Sequence, residues 1–78
     1  MIEKYMTRSQ IGKLTGWKRE RIRQFIRGLQ ASGRYPPDEI IEDGHLILVH
    51  ERVVLDWLRY RKTIEAGGLV PPYKKGGT

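Results

Sequence analysis

The chain has 78 residues and carries 15 Lys and Arg against 9 Asp and Glu, a formal net charge of +6. This length suffices for one small domain and leaves no room for a separate catalytic domain. The lack of cysteine excludes a disulfide scaffold and a thiolate zinc site, and the basic excess favours a polyanionic partner. No stretch is apolar enough to span a membrane or to act as a signal peptide, so we expect a cytoplasmic protein without a membrane partner.

A first helix is predicted to begin directly after Thr7, because Thr7 and Gln10 have the spacing of a capping box. This helix carries Ile11 and Leu14 on one face. Gly16 follows it and suits the left-handed backbone conformation that commonly ends a helix. The pattern therefore predicts a short helix with a sharp turn after it.

A second helix is predicted over residues 18–29, since apolar residues recur there at spacings of three and four. The apolar positions are Ile22, Phe25, Ile26 and Leu29. The polar side chains of the same segment are Lys18, Arg19, Glu20, Arg21, Arg23, Gln24 and Arg27. Residues 1–34 contain nine Lys and Arg against two acids. Arginine and glutamine form bidentate hydrogen bonds with guanine and adenine in the major groove, so these seven residues are candidate DNA contacts.

The two helices together resemble a helix-turn-helix motif in the stretch TRSQIGKLTGWKRERIRQFIR. That motif has a small residue inside the first helix, a glycine in the turn, an apolar residue after it and two buried apolar residues in the second helix. The matching positions are Gly12, Gly16, Trp17, Ile22 and Phe25. The alternative is an ordinary helical hairpin with a solvated basic face, and spacing together with charge favours DNA recognition.

Residues 38–50 are predicted to form a β-hairpin after an extended segment that contains Pro36 and Pro37. Aliphatic residues flank the dipeptide Asp43-Gly44, which is typical of a type I′ hairpin turn. The register that follows is Glu42 opposite His45, Ile41 opposite Leu46 and Ile40 opposite Ile47.

The hairpin segment contains four acids and no Lys or Arg, which does not suit a contact with phosphates. The acids are Asp38, Glu39, Glu42 and Asp43. One alternative is that the hairpin lies away from DNA, and another is that only Arg34 at its base and His45 touch DNA. A third is that the acids contact a protein partner, and a fourth is that they are simply solvated. Arg34 is therefore included among the candidate DNA contacts.

A third helix is predicted over residues 51–66, where one apolar stripe faces the core. The stripe consists of Val53, Trp57, Tyr60 and Ile64, flanked by Val54 and Leu58. Two i,i+4 ion pairs are predicted on this helix, Arg52 with Asp56 and Arg61 with Glu65. Residues 1–66 are thus predicted to form one domain, and residues 67–78, rich in Gly and Pro, a flexible tail.

Catalysis is not predicted, because the residues that an active site requires are missing from the sequence. His45 and His50 are the only histidines, and they are expected to project from opposite faces of one strand. Neither has a visible nucleophile partner, and no phosphate-binding loop or zincin motif is present. We therefore predict no catalytic residue, no metal site and no cofactor.

The order of these elements resembles the winged-helix proteins of the excisionase family, the small recombination directionality factors of bacteriophages and mobile elements. The likeness rests on the helix-turn-helix stretch and on RYPPDEIIEDGHLILVHE. It implies a small α+β winged helix-turn-helix that binds double-stranded DNA, bends it and helps an integrase to excise a prophage. Implied partners are the integrase and further copies of the chain on adjacent sites. The resemblance assigns the major groove to Arg19, Glu20, Arg23, Gln24 and Arg27, and the minor groove to the hairpin as a wing.

Two other functions remain open at the level of sequence. One is a transcriptional repressor on the same fold, which needs a dimer because one helix reads too few base pairs. The other is a protein-interaction module, without specific DNA binding, whose hairpin or tail binds a partner.

Overall fold

The computed structural model describes residues 4–73, in which three α-helices pack on one three-stranded antiparallel sheet. The elements in chain order are β1 (Tyr5–Met6), α1 (Arg8–Thr15), α2 (Arg19–Ala31), a 3₁₀ turn (Pro37–Glu39), β2 (Ile40–Asp43), β3 (Leu46–His50) and α3 (Glu51–Glu65). The predicted α+β class is confirmed. Residues 1–3 of the predicted domain and 74–78 of the predicted tail lie outside the described residues.

Helix α1 has the ends that the sequence predicts. The Thr7 hydroxyl accepts a hydrogen bond from the Gln10 amide at 3.2 Å, and the Gln10 side chain accepts one from the Thr7 amide at 2.9 Å. Gly16 ends the helix with a φ of 78°, and its amide donates to the Gly12 carbonyl at 2.7 Å. Of the two apolar residues predicted on one face, only Ile11 is buried, and Leu14 is 52% exposed.

Gly12 brings α1 and α2 into close contact. A Cβ atom at this position would lie 3.0 Å from the Cδ1 atom of Ile22 and 3.4 Å from the Trp17 carbonyl oxygen. Almost any side chain would therefore push α2 away from α1. The predicted role of a small residue at this crossing is confirmed.

The hairpin of β2 and β3 forms, but its register differs from the predicted one. Asp43 pairs with Leu46 and Ile40 with Val49, so the two turn residues are Gly44 and His45. Gly44 has a φ of 61°, and no non-glycine residue among those described has a positive φ. Positive φ at the first central position alone is typical of a type II′ turn, which is why the turn lies one residue later.

Strand β1 was not predicted, because it has only two residues. It pairs with the inner edge of the hairpin, so that the strand order is β1-β3-β2. Tyr5 lies opposite His50, with ring centroids 5.0 Å apart, and its hydroxyl donates to the Asp38 carbonyl at 3.0 Å. Residues 5 and 6 are thereby fixed to the sheet.

Helix α3 follows β3 without a loop and covers the core. Its amide at Arg52 donates to Nδ1 of His50, which acts as the N-cap residue. Trp57 packs against α2 at Gly28, where a Cβ atom would lie 3.2 Å from the indole ring. The core that results consists of Ile11, Ile22, Phe25, Ile26, Leu29, Tyr35, Ile47, Val49, Val53, Val54 and Trp57.

The ion pair predicted between Arg52 and Asp56 on α3 does not form, because each residue binds a partner from another segment. Asp56 accepts hydrogen bonds from Arg34 at 2.8 Å and from the Tyr35 hydroxyl at 2.7 Å. Arg52 binds Glu39 instead, with its nitrogen 2.7 Å from the Glu39 carboxylate. The i,i+4 prediction was wrong because both side chains find more buried partners in another segment.

Residues 69–73, which we call the C-terminal strap, contact the domain through Pro71 and Tyr73, while Leu69 is fully exposed. The Tyr73 hydroxyl donates to the second carboxylate oxygen of Glu39, and its ring meets Tyr35 edge to face at 4.9 Å. The Pro71 carbonyl accepts a hydrogen bond from Arg34 at 2.7 Å. The strap thus completes the surroundings of a buried acid, and the domain boundary after residue 66 stays a prediction.

Candidate nucleic-acid interface

Helix α2 presents its polar side chains to solvent, as the sequence predicts from its apolar spacing. Its four apolar residues are buried, and the side chains that remain outside include four arginines. The exposed candidates are Lys18, Arg19, Glu20, Arg21, Arg23, Gln24 and Arg27. An extended Lys18 precedes the first helical residue, so the helix begins with a cation on either side of its first peptide bond.

A concave groove of about 830 Å³ runs between α1 and α2 and ends at the hairpin turn. We call it the basic groove, and its lining residues are Arg8, Ser9, Gly12, Lys13, Trp17, Arg19, Ile22, Arg23 and His45. Four of these nine residues are Lys or Arg, and none is acidic. Such a surface attracts a polyanion, since three of its four cations have no carboxylate partner among the described residues and only Arg23 is paired, with Glu20 outside the lining.

The hairpin turn is tied to the start of α1. Arg8 donates a hydrogen bond from NH1 to the His45 carbonyl at 2.8 Å. The His45 side chain consequently lies at the edge of the basic groove, while Glu42 and Asp43 lie outside its lining. This arrangement brings the turn of the hairpin to the groove and leaves out the acids that the sequence placed at its tip.

Sequence reasoning missed Arg8 and Lys13 as interface residues. A signal was available for Arg8, because residues four apart in a helix share a face and Arg8 lies four positions before Gly12. Gly12 was already identified as the contact with α2, so its neighbours on α1 had to border that contact. Both cations were instead counted only in the overall charge.

Glu20, Arg23 and Gln24 bind one another on the exposed ridge of α2. The carboxylate of Glu20 accepts hydrogen bonds from Arg23 at 2.9 Å and from the Gln24 amide at 3.3 Å. The hydrogen bond from Arg23 and the charge of Arg23 lower the pKa of Glu20. The same hydrogen bond and the charge of Glu20 raise the pKa of the Arg23 guanidinium. Three residues predicted to read bases are therefore held as one unit in the absence of DNA.

Arg34 stands apart from the other candidates. Its guanidinium binds Asp56 and the Pro71 carbonyl, and its side chain is only 13% exposed. The hydrogen bond that Arg34 donates to Asp56 raises the pKa of Arg34, although partial burial opposes this. Arg34 stabilises the linker after α2 in this structure, and its contact with DNA stays a prediction.

The acids of the hairpin also divide into two groups. Glu39 is 1% exposed, and burial acts to raise its pKa, but hydrogen bonds from Arg52 and Tyr73 outweigh burial and lower it. Glu42 and Asp43 are exposed. One of the four acids in this segment, Glu39, is therefore buried and bound to Arg52 and Tyr73 rather than exposed on the surface.

No helix within residues 4–73 has both the length and the apolar character needed to cross a bilayer. Comparison of the chain with protein-family models, with curated proteins and with solved structures gave no match.

Proposed function

We propose that this chain is a winged helix-turn-helix protein that binds double-stranded DNA with α2 in the major groove. The observation that carries this proposal is the basic groove, in which four cations and no carboxylate surround the crossing of α1 and α2. An α-helix with its side chains is about 10–12 Å wide, close to the ~12 Å width of the major groove. The exposed ridge of α2 therefore fits between the two DNA backbones.

The residues of α2 take different roles in this proposal. Arg23 and Gln24 lie one turn into the helix and contact base edges, with Arg19 beside them. Lys18 and Arg27 lie towards the ends of the helix, and they contact phosphates. Because Glu20 binds Arg23 and Gln24 in the free protein, DNA must compete for both donors, and a site that offers weak acceptors is rejected.

The hairpin acts as the wing through its turn. The bond from Arg8 to the His45 carbonyl fixes the turn beside α1, so His45 approaches the DNA backbone on the same side as the basic groove. Glu42 and Asp43 are absent from the groove lining, which lowers the electrostatic cost of this approach. The acidic composition of the segment is then compatible with a wing.

The biological role that we propose is that of an excisionase-like architectural factor, which bends DNA and promotes integrase-mediated prophage excision. The support is the resemblance in RYPPDEIIEDGHLILVHE together with the order of helices and hairpin. One α2 contacts only a few base pairs, so useful specificity requires further copies on adjacent sites or an integrase alongside.

The first test is the salt dependence of DNA binding. With roughly four to six phosphate contacts, log K falls against log salt with a slope of about −4 to −5, because binding releases counterions. The measurement is a series of isotherms on one duplex, with polyglutamate as the control polyanion. A flat response to salt would overturn the proposal of DNA binding.

The second test addresses the role. Circularly permuted duplexes measure bending, and an excision reaction with the integrase encoded nearest to this gene measures recombination. Bending with stimulated excision is the expected outcome. A dimer in solution that binds a promoter without bending it would favour a repressor, and affinity that never exceeds the nonspecific level would favour a protein-interaction module.

A further inference from the structure

Two arginines from different helices lie over the ring of Trp17. The guanidinium carbon of Arg21 in α2 is 4.9 Å from the centre of this ring, and that of Arg61 in α3 is 5.2 Å from it. Arg61 also lies 5.9 Å from the ring of Phe25, which itself packs against Trp17 at 5.2 Å. We call Trp17, Arg21 and Arg61 the Trp17 cluster.

The Trp17 cluster holds two like charges close together. Their distances to one ring place the guanidinium carbons within about 10 Å of each other, roughly one Debye length at 0.1 M salt. Within residues 4–73, neither side chain forms an ion pair, whereas Arg23, Arg34 and Arg52 each do. Stacking on an indole leaves the N–H groups at the edge of a guanidinium free to bind an anion.

The Trp17 cluster borders a second, smaller cleft of about 170 Å³ between α2 and α3. Arg21, Gln24 and Arg61 contribute donors to its lining, and Glu65 contributes one carboxylate. The predicted ion pair between Arg61 and Glu65 is not among the ion pairs of the described residues, so it does not neutralise the cleft.

This cleft and the basic groove lie on opposite flanks of α2. Arg19 and Arg23 are four residues apart and line the groove, whereas Arg21, two positions from each, is rotated by about 200° around the helix. Helix α2 is thus a ridge with cations on both sides. A helix in the major groove has one DNA backbone on each side of it.

We infer that Arg21 and Arg61, positioned by Trp17, form a second phosphate-binding site for the DNA backbone on the α3 side of the major groove. The inference rests on the proposed function and extends the interface to a helix that the sequence assigned only to the core. Arg8 and Lys13 of the basic groove contact one backbone, and the Trp17 cluster contacts the other. Arg61 is therefore a DNA contact rather than a solubilising charge.

The experiment compares Arg61→Ala with Arg59→Ala on one duplex over a range of salt concentrations. Arg59 is the matched control, since it lies on the same helix and its guanidinium carbon is 5.9 Å from the ring of Tyr60. Loss of one phosphate contact reduces the steepness of the salt slope by about 1. We expect this change in Arg61→Ala, together with at least a fivefold loss of affinity, and a much smaller change in Arg59→Ala.

Arg61→Met separates a DNA contact from a purely structural role, because it keeps an apolar side chain over Trp17 and Phe25. It should unfold close to the wild-type temperature and show the same reduced salt slope as Arg61→Ala. Glu65→Gln should tighten binding, since it removes the one carboxylate from the cleft.

The outcomes separate the two proposals. If the wild-type chain binds DNA with a steep salt slope, but Arg61→Ala and Arg59→Ala behave alike, the second phosphate site is overturned and the proposed function stands. The same holds if Arg61→Met binds as tightly as the wild type. A wild-type chain without affinity for DNA would overturn both.

Discussion

The arginines of α2 differ in their surroundings from the two arginines that pack beside α3, Arg34 and Arg52. In the described part of the chain, only Arg23 among those of α2 has a carboxylate partner, and that partner is itself exposed. Arg34 and Arg52, by contrast, bind Asp56 and Glu39, which are largely withdrawn from solvent. The same residue type thus forms an exposed basic surface on one side and binds buried carboxylates on the other. The position of the carboxylates, rather than the number of arginines, separates the two roles.

The largest effect on stability is expected from Asp56→Ala. The change leaves the guanidinium of Arg34 and the hydroxyl of Tyr35 without their acceptor in a partly buried position, which should lower the free energy of unfolding by about 3 kcal/mol. Urea denaturation measures it. The matched control is Glu20→Ala, which removes an exposed acid and should leave the midpoint unchanged. Equal urea midpoints for the two variants would show that Asp56 contributes no more to stability than the exposed Glu20.

Arg23→Ala and Arg27→Ala test the exposed side. If Arg23 binds a base edge, its loss should weaken cognate binding roughly 5- to 150-fold and binding to scrambled DNA only slightly. If Arg27 binds phosphate, its loss should weaken both about equally. Isotherms on the two duplexes at one salt concentration give the answer. An equal loss on both duplexes in Arg23→Ala would mean that α2 only attracts phosphates and that specificity comes from DNA deformation.

Tyr73→Phe tests whether the C-terminal strap belongs to the fold. The variant keeps the ring against Tyr35 but leaves one oxygen of the buried Glu39 carboxylate without its donor, at a cost of about 1–2 kcal/mol in the free energy of unfolding. The control is Tyr60→Phe, because no hydrogen bond of the Tyr60 hydroxyl occurs within residues 4–73. A parent-like stability for Tyr73→Phe would show that the strap is dispensable.

The smallest effect is expected in the pH dependence of stability. Burial, assisted by the charge of Arg52, lowers the pKa of His50 below 6.5, and its Nδ1 accepts the N-terminal amide of α3 only while unprotonated. The unfolded chain therefore binds a proton at a higher pH than the folded one, and stability falls as pH drops below 6.5. In His50→Asn, which retains an acceptor at the cap, this part of the decline should disappear. His45→Asn should keep it, and denaturant titrations across pH distinguish the two.

Local features of the chain were predictable because neighbouring residues determine them. The capping box of Thr7 and Gln10 and the left-handed Gly16 fix the ends of α1 through bonds within one turn. The apolar spacing of α2 likewise defined which arginines face out. These predictions needed no knowledge of the rest of the fold.

Features that depend on distant segments were missed or misplaced. Tyr5 and Met6 become a strand only because β3 offers its edge, and the ion pairs of Arg52 and Asp56 change partners because Glu39 and Arg34 approach α3. The Asp-Gly dipeptide fits two turns: a type I′ turn with Asp43 and Gly44 at the centre, or a type II′ turn with Gly44 and His45 there. The structure has the second of these. In the candidate interface, the cations of α2 were predicted, and those of α1 were not.

The bond between Tyr73 and Glu39 also sets an order of events during synthesis. These residues are 34 positions apart, and a ribosome that adds about 5–20 residues per second makes the second roughly 2–7 seconds after the first. Every other part of the core has been translated before Tyr73 appears. Glu39 therefore lacks one of its donors until translation reaches the strap, and the bond to Tyr73 cannot guide any earlier step of folding.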